Sequence, residues 1–293
     1  MMNNELELVV ETQALLGECP CWDHHKQLLY WVDILNKQLH IYSPQNNTDR
    51  IIQLEEYVSC VVPRSSGGVV LGLATGFAAL DLDSETVKFL AKPENHPPTN
   101  RFNDGKCDPA GRFLAGTMDF EQRENAGFLY TLESNLQIKQ LLDHTTVANG
   151  MGWSPDYSTL YFIDSPTQTI FAFDYDLDQG TIKNRREAIK IPDGEGFPDG
   201  MTTDLEGMIW VALWAGAKVM RWNPNTGELL QTIPIPARNV TSCTFGGQNM
   251  NELYITTARQ DMNEDDFQKY PQTGSLFKLK TDVVGMTNFE FRG

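Results

Sequence analysis

A chain of 293 residues with 23 Lys and Arg against 39 Asp and Glu carries a formal charge of −16. That balance excludes partners held through phosphate charge, as nucleic acid and anionic membranes are, and leaves cations, neutral small molecules and proteins. The length buries roughly three quarters of the unfolded surface, and 15 Phe, 9 Tyr and 6 Trp suit a packed globular chain rather than a disordered one.

Residues 1–12 hold three Glu and neither a basic nor an apolar leader stretch, so no secretory signal is expected. The segment from Leu6 to Val10 reads as a strand free to join the end of the fold. A first unit follows: the turn Trp22-Asp23-His24-His25, then Leu28 to Asp33, Leu39 to Tyr42, and Ile51-Ile52. The second has Gly67-Gly68, Val69 to Leu73 and Ala78 to Asp81. The third has Asp108-Pro109-Ala110-Gly111, Phe113 to Gly116 and Gly127 to Thr131. Trp153-Ser154-Pro155-Asp156 opens the fourth, with Leu160 to Asp164 and Ile170 to Tyr175. The fifth has Asp204 to Gly207, Ile209 to Ala212 and Val219 to Trp222. The sixth has Phe245-Gly246-Gly247, Leu253 to Thr256 and Ser275 to Leu279.

Equivalent strands start at Leu29, Val69, Phe113, Leu160, Ile209 and Leu253, at spacings of 40, 44, 47, 49 and 44. Units of about 45 residues, each a run of short β-branched and aromatic strands bounded by Gly, Asp, Asn or Pro, have the period of a propeller blade. No segment keeps a helical period over three turns, and no linker divides the chain. The expectation is an all-β, six-bladed β-propeller forming a single domain over residues 1–293, its ring closed by Leu6 to Val10. The longest uncharged apolar run, Met208 to Ala217, is about half of a membrane span. Five Cys in no paired spacing give neither a disulfide framework nor a zinc motif, so a cytoplasmic protein is expected. Trp22 and Trp153 are expected to pack between sheets, and Cys60 and Cys243 to be inert buried thiols.

Four polar steps stand just before blade strands: Gly17-Glu18-Cys19-Pro20, Arg101-Phe102-Asn103-Asp104-Gly105, Ala148-Asn149-Gly150 and Pro198-Asp199-Gly200. Any one of them reads as turn chemistry. As a set entering four blades they would converge at one mouth of the central channel. Glu18, Asn149 and Asp199 are oxygen donors suited to one divalent ion, whether Ca²⁺, Mg²⁺, Mn²⁺ or, through carboxylates, Zn²⁺. Two carboxylates and an amide balance its charge and leave room for water and substrate, as a metal-assisted hydrolase requires. Asp33 and Asp164, which end strands, read as turn caps; Asp104 reads equally as a supporting or a turn residue. A Ser-His-Asp triad is unsupported, for no Gly-x-Ser-x-Gly occurs and no His falls in these segments.

The same blocks carry a resemblance. Gly17-Glu18-Cys19-Pro20-Cys21-Trp22, Arg101 to Arg112, Ala115-Gly116-Thr117-Met118, Ala148 to Ser154, Pro198-Asp199-Gly200-Met201 and Thr241 to Gly247 together resemble the SMP-30/gluconolactonase/LRE-like family over nearly the whole chain. The resemblance implies a metal-dependent lactonase acting on a sugar-acid (aldono-) lactone. It makes Glu18, Asn149 and Asp199 the metal ligands and Asp199 also the general base. Arg101 and Asn103 would bind the lactone carbonyl and hydroxyls. Glu121, in a loop from Asp119 to Glu124 that departs from the family's commoner run, would be a further substrate contact. Cys19 stands where Gly or Ser is commoner. Two alternatives are a broader esterase or organophosphate hydrolase in the same frame, and a non-catalytic calcium-binding propeller. The expected partner is a small lactone, without nucleic acid or membrane, for a monomer or weak homo-oligomer.

Overall fold

The computed structural model describes residues 6–293. Six four-stranded antiparallel sheets are arranged as the blades of a propeller. Blade 1 runs outward from the channel through Gly17–Asp23, Leu28–Asp33, Gln38–Ser43 and Thr48–Gln53. The innermost strands of blades 2 to 6 are Val58–Pro63, Asn100–Cys107, Ala148–Trp153, Phe197–Thr203 and Asn239–Gly246. In blade 6 the outermost place belongs to Leu6–Val10, paired antiparallel to Leu276–Lys280. The first strand described thus completes the blade built by the last, which closes the ring.

Burial falls steadily from axis to rim. Val58–Pro63 is wholly buried, whereas Val87–Ala91, the outer strand of the same blade, is exposed or half-buried. Both faces of an innermost strand meet neighbouring blades, so Val58–Pro63 shows no alternation of buried and exposed side chains. Trp22 stacks on Tyr254 at 5.6 Å between blades 1 and 6. Trp153 lies in a cluster with Leu114 and Leu129 of blade 3. All five cysteines are buried and free, and all lie on innermost strands.

Glycine lets these strands approach closely at the axis. A Cβ on Gly150 would stand 2.6 Å from the Asp199 carbonyl oxygen, and one on Gly200 would collide with Ser242 Oγ. The Asn-Gly and Asp-Gly steps are therefore close-approach steps in strands, not turns.

The channel has two unlike ends. Residues 284–292 cross the far end, with backbone bonds from Leu205 N to Val284 O, Gly285 N to Met250 O, Phe291 N to Pro63 O and Arg292 N to Gly111 O. The segment thereby ties blades 2, 3, 5 and 6 together. One short helix, Glu264–Lys269, lies in the blade 6 loop at the open end and is started by a capping box between Asn263 and Asp266.

Candidate active site

The four polar steps do not precede strands; they lie inside the innermost strands of blades 1, 3, 4 and 5. Each sits at a bulge, between Glu18 and Cys21, Phe102 and Gly105, Ala148 and Met151, and Pro198 and Met201. In each case three steps on the inner strand face two on its partner. The extra residue breaks the period of two and re-aims side chains away from the sheet faces. Cys19 holds a φ of 47°, in the left-handed region where Gly is favoured.

Glu18, Arg101, Asn103, Asn149 and Asp199 all line one cavity of about 450 Å³ at the open end. Each is less than a tenth exposed. Arg101 Nη1 donates to the Phe102 carbonyl at 2.9 Å and to Asn103 Oδ1 at 2.7 Å, while Asn103 Nδ2 donates to the Ala148 carbonyl at 3.0 Å. Asn149 Nδ2 donates to Ser165 Oγ at 3.0 Å, and that hydroxyl donates to the Pro198 carbonyl at 2.7 Å. Glu18 accepts from the Cys19 backbone at 2.8 Å.

Glu121 is not brought to this wall. It is exposed, its backbone N–H bonded to Asp119, and its neighbours Phe120 and Gln122 border the cavity instead. Asp104 does not line the cavity either. It is buried deeper in the channel beside Cys19 and Lys106, accepting from Gly105 N at 2.7 Å. Asp33 and Asp164 are caps, accepting from the backbone of Leu15 and Leu16 and of Thr146 and Val147 respectively.

The acids of the site repel one another in a dry place. Burial, then the Asp104 charge, pushes Glu18 up to about 8. Asp199 is raised well above the usual carboxylate range by burial and by Glu18 and Asp104, against smaller lowering by Asn149 and Arg101. Burial lowers Arg101 to about 10, the two carboxylates opposing it. A positive charge among these groups would relieve all three acids at once.

The donor set fits a divalent cation. Asn149 Oδ1 is buried with no hydrogen-bond partner, a costly state unless something accepts its lone pairs. Hard divalent ions take such carboxylate and amide oxygens. Among the described residues no group of three or more His, Cys, Asp or Glu gathers as a metal cluster; the donors the cavity offers together are Glu18, Asp199 and the Asn149 amide.

The sequence reading missed several lining residues: Ser165, Phe197, Trp214, Gln260 and Asp261. Ser165 carried a signal, being the polar residue directly after the cap Asp164. Phe197 and Trp214 looked like ordinary strand residues.

Fold and site define a class: a six-bladed propeller with a small-molecule pocket, floored by acids, amides and one arginine, at one mouth of its channel. The chain belongs to the SMP-30/gluconolactonase/LRE-like family, whose model matches residues 16–259. It is 39% identical to regucalcin of Xenopus laevis over the full length of both chains. It is 35% identical to a Bacillus subtilis protein named as the sugar lactone lactonase YvrE, over 98% of each. Among solved structures, one described as a calcium-binding protein, regucalcin, from Agrobacterium tumefaciens superposes with a TM-score of 0.93 at 26% identity, covering 98% of this chain and 97% of the other.

Proposed function

We propose that the protein is a metal-dependent lactonase that opens sugar-acid (aldono-) lactones. The observation that carries this reading is the buried, unpaired Asn149 Oδ1 in the cavity that also presents Glu18, Asp199, Arg101 and Asn103. The names of the Bacillus and Agrobacterium relatives support the substrate class and a cation.

Glu18, Asn149 and Asp199 would hold one divalent ion, Ca²⁺, Zn²⁺, Mg²⁺ or Mn²⁺, which when bound polarises a carbonyl and acidifies water in the site. Asp199 takes a proton from the water that attacks the lactone carbonyl carbon. Arg101 donates to the carbonyl oxygen as negative charge develops there, an electrostatic stabilisation strengthened by burial. Asn103 steadies Arg101 by accepting from Nη1 and keeps one amide N–H for a substrate hydroxyl. Collapse breaks the ring C–O bond, and the leaving alkoxide takes the proton from Asp199, giving the open hydroxy acid. From the Asp119–Glu124 loop it is Phe120 and Gln122, not Glu121, that border the mouth and face the substrate.

The same reading takes residues 1–293 as one domain, a monomer or weak homo-oligomer working in the cytoplasm. Five buried free thiols suit a reducing compartment, and the charge of −16 disfavours nucleic acid and anionic membrane. Among the described residues no helix is long and apolar enough to cross a membrane.

The test is acid release from a panel of pentono- and hexonolactones with each ion in turn, alongside aryl esters and phosphotriesters. Ion-dependent turnover fastest on sugar lactones is expected. Faster turnover of the esters or phosphotriesters would favour the broader hydrolase, and no turnover on any substrate with any ion a non-catalytic cation-binding propeller.

A further inference from the structure

Ser165 lies outside the strands that carry the five cavity residues named above. It opens a single 3-10 turn, Ser165–Thr167, with Pro166 behind it, and its backbone N–H is fixed to the Val147 carbonyl at 3.1 Å. Its side chain joins two blades. Oγ stands 2.7 Å from the Pro198 carbonyl of blade 5 and accepts Asn149 Nδ2 of blade 4 at 3.0 Å.

The direction of these bonds is forced. A carbonyl oxygen can only accept, so the single hydroxyl proton of Ser165 is committed to Pro198. Toward Asn149 the hydroxyl then has only lone pairs to offer, and only the NH₂ end of the amide can meet it. The other end, Oδ1, is thereby turned away and left buried without a partner. An Asn amide free to rotate would exchange its two ends to find hydrogen bonds, and a terminal sp² torsion resists that only weakly. The Pro198 carbonyl is a backbone group of an innermost strand, so the hydroxyl that bonds it is itself held in place.

We infer that Ser165 is a positioning residue that holds the Asn149 amide with its oxygen toward the ion. This rests on the reading above that Asn149 is an ion ligand. Removing Ser165 leaves every proposed ligand in place and loosens only the orientation of one, an effect of the kind that hydrogen bonds behind metal ligands exert elsewhere.

The test is calorimetric titration of the full-length protein with Ca²⁺, Zn²⁺, Mg²⁺ and Mn²⁺, each alone. For the ion that wild type binds tightest, Ser165→Ala should weaken Kd by about tenfold to a hundredfold. Ser165→Thr, which keeps the hydroxyl, should restore binding to within about threefold. Asn149→Asp has an oxygen at both ends, so in that background Ser165→Ala should cost less than about threefold. A purely structural Ser165 would cost the same in both backgrounds. Should Ser165→Ala fail to fold by circular dichroism, Ser165→Cys keeps the volume with a poor donor and acceptor, and the same weakening is expected of it. Equal losses in both backgrounds, or Ser165→Ala binding as wild type does, would overturn the inference and leave the lactonase reading standing. Wild type binding none of the four ions would overturn both.

Discussion

At the far end of the channel Asp23, Asp108 and Asp204 are as deeply buried as Glu18 and Asp199 at the mouth, yet the surroundings of the two groups are opposite. Asp23 accepts from the backbone of His25 and Lys26 and from the Tyr30 hydroxyl. Asp108 accepts from the backbone and guanidinium of Arg112 and from Tyr175. Asp204 accepts from the backbone of Glu206 and Met208, from Trp210 Nε1 and from Arg221. Each far-end carboxylate closes a turn between the first two strands of its blade and has donors enough for its lone pairs. At the mouth, Glu18 gains one backbone N–H, from Cys19, and the amide beside it keeps an unpaired oxygen. Depth of burial is the same, so burial does not mark the site; a shortage of donors does. Asp33 and Asp164 make the point within the mouth itself, where backbone N–H groups satisfy them as caps.

The contrast can be broken most sharply by exchanging what is lost. Asp199→Ala should lower lactone turnover by at least about a thousandfold, since it removes the proposed base and proposed ligand together, and should weaken ion binding by calorimetry. Turnover at the wild-type rate with ion supplied would contradict the role given to Asp199. At the far end Asp204→Ala should do the reverse. It takes the only acceptor from buried Trp210 Nε1 and one of the two carboxylates paired with Arg221, and should cost about 3 kcal/mol in denaturant unfolding, with kcat/KM of the surviving folded protein near wild type.

Arg101→Lys separates charge from shape. A lysine keeps the positive charge but cannot hold the Phe102 carbonyl, Asn103 and a substrate oxygen in one plane, so kcat/KM should fall by roughly tenfold to a hundredfold. The smallest effect is in pH. Glu18 rises from 4.5 when unfolded to about 8 in the folded ion-free protein, so between these values the folded state binds more protons than the unfolded. Its contribution to stability is fully present below 4.5 and is lost as pH rises through about 8. The melting temperature of ion-free protein should therefore drop across that interval, measured by calorimetry against Glu18→Gln, in which the drop should shrink. Saturating divalent ion should flatten the wild-type curve as well, because bound cation favours the ionised carboxylates.

The propeller was legible because its second strands keep a strong apolar pattern between Asp- and Gly-rich turns, as at Leu160 to Asp164. Outer strands were poorly legible: Thr181–Lys190 is mostly exposed and charged, so it shows no alternation to read. The polar steps were legible as a set, but their placement was not. A bulge is a property of two strands in register, and nothing within Gly17-Glu18-Cys19-Pro20 distinguishes an entering loop from a bulged inner strand. Ser165 stayed hidden for a related reason. Its meaning lies in the Pro198 carbonyl, 33 positions away and brought near only when blades 4 and 5 pack together. The crossing of the far end by residues 284–292 was equally invisible, because its backbone bonds and the buried Phe291 join it to segments far away in the chain.

The most direct measurement is an anomalous difference map from crystals grown with Mn²⁺. The account predicts a single strong peak within bonding distance of Glu18, Asn149 Oδ1 and Asp199, absent from crystals of Asp199→Ala. A mouth without a peak, or an ion held only at the far end beside Asp23, Asp108 or Asp204, would contradict it.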